Sequence, residues 1–119
     1  MFEWVKGNAY NIYVTLYATN ITLNSAAASY FEEVRWVMIG LNREEKQLAI
    51  KAITKREIDL KLVPLEQLHK ISIGKGYGRI SNKAIMKEVE MILGTSLDGL
   101  KKEAIFDEKE GMLIVDLHS

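Results

Sequence analysis

The sequence predicts an α+β fold, mostly antiparallel β, in which two pseudo-repeated βαββ halves share one barrel-like core. The first observation is a repeated order of elements: strand, short helix and hairpin occur over residues 12–53 and again over residues 69–117, joined by residues 54–68. The second is a repeated turn. Asn42-Arg43-Glu44-Glu45-Lys46-Gln47-Leu48-Ala49-Ile50 lies over Asp107-Glu108-Lys109-Glu110-Gly111-Met112-Leu113-Ile114-Val115, a charged turn entering an apolar strand both times. The third is size. At 119 residues and 48% hydrophobic content, the chain suits a single domain over residues 1–119. Either half alone would be marginal, so the halves are expected to bury each other's apolar faces.

The elements follow in order. Asn11–Tyr17 alternates Ile12, Val14 and Leu16 with Tyr13, Thr15 and Tyr17, the period of a strand. Ala18-Thr19-Asn20 kinks into a second short strand, Ile21–Leu23. Asn24 or Ser25 caps a helix over Ser25–Val34, since a short oxygen-bearing side chain accepts from an orphan amide of the first turn. Ala27, Tyr30, Phe31 and Val34 form its expected buried face. Trp36–Leu41 and Gln47–Ile53 make a hairpin across Asn42–Lys46. Residues 54–63 read as a polar connection, and Pro64 opens a short helical turn at the position that tolerates proline.

The second half begins with the alternating His69–Ile73, then the turn Gly74–Gly78, then the brief strand Arg79–Ser81. Ser81 or Asn82 caps a helix over Asn82–Leu93 with Ile85, Val89, Ile92 and Leu93 on its core face. Gly94 suits a left-handed C-cap. Leu100–Phe106 and Met112–Leu117 form the last hairpin.

Composition excludes several function classes. The absence of cysteine rules out disulfides, thiolate metal sites and cysteine nucleophiles. No apolar run has membrane-spanning length, and Met1–Lys6 lacks the apolar stretch of a signal peptide. A cytoplasmic protein with no membrane partner is expected. His69 and His118 have no spacing that supports a metal site. No serine occupies a nucleophile elbow. The carboxylate pairs Glu32-Glu33, Glu44-Glu45 and Asp107-Glu108 fall at helix ends and turn tips, poor places for general acid–base work. No catalytic residue, metal or cofactor is assigned, and no enzyme is expected.

Gly74-Lys75-Gly76-Tyr77-Gly78 follows a strand as a phosphate loop does. It lacks P-loop spacing and the Lys-Ser/Thr pair, and it lacks the last glycine of a dinucleotide fingerprint. A turn or bulge needing positive φ accounts for it better. Trp4, Trp36, Tyr10, Tyr13 and Tyr17 can stack on bases, but no basic residue is interleaved with Tyr10–Tyr17, so core or cross-strand roles are preferred.

Charge is balanced overall and uneven locally. Residues 67–87 hold five bases (Lys70, Lys75, Arg79, Lys83 and Lys87) and no acid, whereas residues 88–119 hold three bases and eight acids. The basic segment is either an anion-binding face or a solvated surface compensated by the acidic tail.

Gly78-Arg79-Ile80 leading into Ser81-Asn82-Lys83-Ala84-Ile85-Met86-Lys87 resembles the AbrB/SpoVT-type swapped-hairpin DNA-binding domain. Ile21-Thr22-Leu23-Asn24 is similar in the first half, with Asn20 where the family has arginine. A tandem copy in one chain resembles the MraZ arrangement. The resemblance covers residues 12–117 in layout and residues 78–87 in motif. It implies a closed β-barrel and a DNA-binding regulator of transcription. Lys75, Arg79, Lys83 and Lys87 would then meet phosphates of double-stranded DNA, with Arg79 the candidate for base contact. The rival is a protein-interaction module on the same scaffold, docking a partner along Asn11–Tyr17 or another sheet edge. Swapped hairpins make a homodimer as accessible as a monomer.

Overall fold

Alternation of apolar and polar side chains resolves into eight strands that close an antiparallel barrel in this computed structural model, which describes residues 1–2 and 11–118. Trp4 and Tyr10 lie outside the described residues. The strands are β1 (Tyr13–Tyr17), β2 (Asn20–Leu23), β3 (Trp36–Asn42), β4 (Gln47–Ile53), β5 (His69–Gly74), β6 (Tyr77–Ser81), β7 (Asp98–Asp107) and β8 (Met112–Asp116). Around the barrel they run β1-β2-β6-β5-β3-β4-β8-β7, and β7 pairs back onto β1. Each strand turns its alternate residues inward. Val14 and Leu16, Ile21 and Leu23, Val37, Leu48 and Ile50, Ile71, Ile80, Leu113 and Val115 meet in one buried cluster. No polar or charged side chain is buried among the described residues.

Two kinds of hairpin close the strand pairs. β5 turns to β6 through Lys75-Gly76, with Gly74 opposite Tyr77 and Gly76 at φ +84°. The β3–β4 and β7–β8 hairpins share a longer device. Asn42 Oδ1 accepts from the Glu45 amide (3.0 Å), and Asp107 Oδ1 accepts from the Glu110 amide (3.1 Å). Lys46 and Gly111 then take left-handed φ values of 52° and 66°. The β7–β8 turn uses glycine there, which meets no steric cost; the β3–β4 turn sets a lysine in the same region.

The helices depart from expectation. The first helix is shorter than Ser25–Val34: α1 spans Ser25–Ala28 and tightens into a 3-10 turn over Ser29–Phe31. Asn24 caps it by accepting from the Ala27 amide (2.9 Å). Ala27, Ala28 and Phe31 are buried, but Tyr30 is not core: it is 39% exposed and stacks on Phe106 at 4.0 Å. The connection 54–63 is not all coil. It contains α2 (Lys55–Asp59), closed by a capping box in which Thr54 and Glu57 bond each other's backbone amides. That box reads Thr-x-x-Glu in the sequence, but no apolar run follows it. α3 (Lys83–Leu93) is capped by Asn82, the second of the two expected candidates, and ends at Gly94 in the expected left-handed region. Its buried residues are Met86 and Val89, so Met86 joins a face that Ile85, Ile92 and Leu93 only flank.

Closure of the barrel removes one expected docking mode. β1 lies between β2 and β7 and pairs with both, so strand addition along Asn11–Tyr17 has no free ladder to extend. The same closure is achieved within one chain, without strands from a second copy.

The three glycines of residues 74–78 serve three local needs. A Cβ on Gly74 would lie 2.4 Å from the Tyr77 ring, Gly76 supplies positive φ, and a Cβ on Gly78 would lie 3.0 Å from Ile73 Cδ1 and 3.6 Å from Ala28 Cβ. Gly78 thus lets α1 settle directly on β6. Gly78→Val is expected to cost about 1–3 kcal/mol through overpacking, measured by urea unfolding, whereas Lys75→Ala at the exposed turn should stay within about 0.5 kcal/mol. Equal effects would contradict this packing.

Candidate nucleic-acid interface

Four adjacent strands of the barrel, β1, β2, β6 and β5, contain no acidic residue. Their inward residues are apolar or glycine, apart from His69 at the start of β5. Their outward residues are Tyr13, Thr15 and Tyr17 on β1, Asn20 and Thr22 on β2, Tyr77, Arg79 and Ser81 on β6, and Lys70 and Ser72 on β5. The register aligns a continuous row across them. Ser72 is opposite Arg79, Arg79 opposite Thr22, Thr22 opposite Thr15, and Thr15 opposite Lys101 of β7. Directly opposed residues share a face with their Cβ atoms in reach of one another, so the row is a strip of hydroxyls between two cations.

Both cations lean on tyrosines. The Arg79 guanidinium carbon is 6.0 Å from the Tyr77 ring centroid, and Lys101 Nζ is 4.2 Å from that of Tyr13. Such contacts are worth about 0.5–1 kcal/mol at exposed sites and leave the charge uncancelled. The Thr22 hydroxyl donates to Asn20 Oδ1 (3.0 Å), which holds it on this face.

α3 carries the charge onward. Lys75, Arg79, Lys83 and Lys87 are spaced by four residues and all are exposed. Four residues of extended chain reach at most about 14 Å, and four of helix rise about 6 Å. The acids of α3 do not cancel its lysines. Glu88 pairs with Arg43 of the β3–β4 turn at 2.7 Å, and Glu90 accepts from the Leu97 amide at 2.8 Å. Among the described residues the one lysine or arginine in an ion pair is Arg43, with Glu88, so Lys70, Lys75, Arg79, Lys83 and Lys87 have none. Lys83 also stands in the first turn of α3, where no acid is present. A cation there opposes the positive end of the helix dipole.

The expected basic residues therefore lie on one stretch running from the β5–β6 turn along β6 and into α3. Sequence reading missed Lys101, Thr15 and Thr22. It set aside the tyrosine strand because no base is interleaved with it along the chain. The structure supplies that base from a different strand: Lys101 over Tyr13. Only the β1·β7 register brings the two together, and nothing local in the sequence encodes it.

The histidines have separate local roles. Asn82 caps α3 by accepting from the Ile85 amide (3.0 Å), and its side-chain amide donates to His69 Nδ1 (3.2 Å). That bond requires a neutral imidazole with its proton on Nε2. Burial lowers the His69 pKa from its ordinary value. His118 sits at an exposed position beside Asp116, with Nδ1 2.7 Å from Oδ1. The His118 backbone N–H, and after it the imidazole, hold the Asp116 carboxyl below the usual range. A surface cleft of about 690 Å³ borders this pair and includes Glu45, Lys101, Lys102 and Glu103. No group of three or more His, Asp or Glu able to hold a metal ion occurs among the described residues, and no described helix is long and apolar enough to cross a membrane.

Compared with protein-family models, curated proteins and solved structures, the chain matches none.

The His69–Asn82 bond makes a pH prediction. Because the folded-state pKa of His69 lies below its unfolded value of about 6.5, its contribution is fully present above that value and is lost as pH falls through the lower, folded pKa. Wild-type unfolding midpoints should drop over that acidic interval, and His69→Gln should lessen the drop. An unchanged pH profile in the variant would remove His69 from this role.

Proposed function

We propose that this chain is an AbrB-like DNA-binding domain and transcription regulator, with two units in tandem, each of four strands about one helix (ββαββ, one strand more than the βαββ order expected from the sequence), and duplex DNA held by the basic segment of the second. The observation that carries it is the set of five exposed cations between residues 70 and 87 with no ion-pair partner among the described residues, on and beside four acid-free strands. A solvated surface compensated by the acidic tail would place Glu88, Glu90, Asp98, Asp107 or Asp116 against these cations. Those acids instead bond Arg43, backbone amides or His118, or lie elsewhere. A cytoplasmic location belongs to this proposal.

The tandem arrangement has support from the register. Exchanging each strand with the one four later returns the same circular order. The hairpins β1–β2 and β5–β6 superimpose in pairing at one constant offset: Val14 with Leu23 answers Ile71 with Ile80, and Thr15 with Thr22 answers Ser72 with Arg79. At that offset Thr22 corresponds to Arg79, and the two are paired across β2·β6 as on a local two-fold axis. Ala49 and Ile114, equivalent in the repeated turn, are likewise paired across β4·β8. The residue that answers Arg79 in the first half is therefore Thr22, not Asn20. The first half carries a threonine at this position, and the cations gather on the second.

One observation favours the rival reading, a protein-interaction module. Leu60, Leu62 and Leu65 are 55%, 66% and 68% exposed in the connection between β4 and β5. They sit outside the acid-free strands, in the segment that leads into β5.

Four phosphate contacts predict that affinity for a random-sequence duplex falls about a hundredfold between roughly 50 and 200 mM salt. Arg79→Ala/Lys83→Ala should lower the salt slope by about 2. Salt-independent binding, or none at low salt, would end the DNA reading.

Lys83→Glu separates binding from folding. Replacing a cation by an acid in the first helical turn should stabilise the fold by about 0.3–1 kcal/mol while weakening DNA binding. A variant that loses stability and binding together would argue that Lys83 is structural.

A further inference from the structure

We propose that duplex DNA lies across the outer face of β5, β6, β2, β1 and β7, with Arg79 and Lys101 on phosphates at the two sides of the major groove and the Thr15 and Thr22 hydroxyls toward base edges. The proposal rests on the DNA-binding reading above and adds to it a second phosphate anchor, on β7, and the residues that face the bases.

The register fixes the spacing. Arg79, Thr22, Thr15 and Lys101 are successive cross-strand partners. Neighbouring strands lie about 4.8 Å apart, so three steps separate the cations by about 14 Å along the sheet. The major groove is about 12 Å wide and the minor groove about 6 Å. Side chains standing on a convex sheet can therefore reach both walls of the major groove and overshoot the minor one. β-strands are known to enter that groove.

The chemistry along the row fits the same placement. The two outer members carry free positive charge, since neither forms an ion pair among the described residues. Lys101 rests on the Tyr13 ring although Glu103 lies two residues away on the same strand. The two inner members are hydroxyls, which hydrogen-bond either base type. The Thr15 hydroxyl makes no hydrogen bond among the described residues, and the Thr22 hydroxyl donates to Asn20 Oδ1. No acid interrupts the row. Glu103 and Asp98 stand opposite Tyr13 and Tyr17, beside it on β7, and mark the border of the footprint. Base reading thus passes from Arg79, the residue the sequence suggested, to the threonines between the cations.

The test uses the full chain, a pool of random-sequence duplexes and the same pool made with 7-deazapurines, which lack the major-groove N7 acceptor. Lys101→Ala is compared with Lys55→Ala on α2, and Thr15→Val/Thr22→Val keeps the strand shape while removing both hydroxyls. Urea unfolding checks that each variant is folded. Lys101→Ala should lower the salt slope by about 1, and Lys55→Ala should leave it unchanged. Thr15→Val/Thr22→Val should keep the slope and lose the wild type's preference for normal over 7-deaza duplex. If Lys101→Ala matches Lys55→Ala while Arg79→Ala/Lys83→Ala still weakens binding, the groove placement is wrong and the DNA reading survives. If the threonine variant keeps the wild-type preference, the base-reading role is wrong. If the wild type binds neither pool, the DNA reading and this inference fall together.

Discussion

Four antiparallel seams join the first four strands to the last four: β1·β7, β2·β6, β3·β5 and β4·β8. Without them each run of four strands would expose an apolar face and open edges, and a pair of hairpins is marginal in water. With them, Leu48 and Ile50 meet Leu113 and Val115 inside, and every strand has two neighbours. The seams are unequal. β1·β7 runs from Tyr13 to Tyr17, whereas β3·β5 is limited to Trp36–Lys70 and Val37–His69, extended by the Ile71 amide donating to the Arg35 carbonyl at 3.0 Å.

The seams also make the candidate site. β2·β6 sets Thr22 beside Arg79, and β1·β7 sets Lys101 beside Thr15 and over Tyr13. Residues far apart in the chain become one strip because antiparallel partners share a face. The folded core needs nothing from that strip: inward residues supply the burial, and the outward positions are left to polar side chains and cations. α3 shows the same separation. Met86 and Val89 anchor it, while Lys83 faces solvent at a helix end where its charge is unfavourable.

Much of the fold was legible because its signals are local. Alternation located all eight strands within a few residues, the pairs Asn24 or Ser25 and Ser81 or Asn82 bracketed the helix starts that Asn24 and Asn82 cap, Gly94 marked a helix end, and the shared turn at Asn42 and Asp107 proved alike in its hydrogen bonds. α2 was read as coil because four charged residues around a single Ile58 show no apolar face, and its N-terminus is held by the Thr54–Glu57 box. The first helix was read too long because Tyr30 and Val34 continue the helical spacing, although the chain tightens after Ala28. Tyr30 was read as core, yet its partner is Phe106, placed there by β7. In the site, Lys75, Arg79, Lys83 and Lys87 were legible as a run without acids. Lys101, Thr15 and Thr22 were not, because their meaning lies in register between strands.

The seams make the two runs of four strands depend on each other, and cutting the chain tests this directly. Residues 1–61 and 62–119 would be produced separately, and unfolding followed for each alone and for the equimolar mixture. The pairing described here predicts no cooperatively folded monomer from either piece, and a cooperative barrel on mixing. A piece that unfolds cooperatively as a monomer on its own would contradict it.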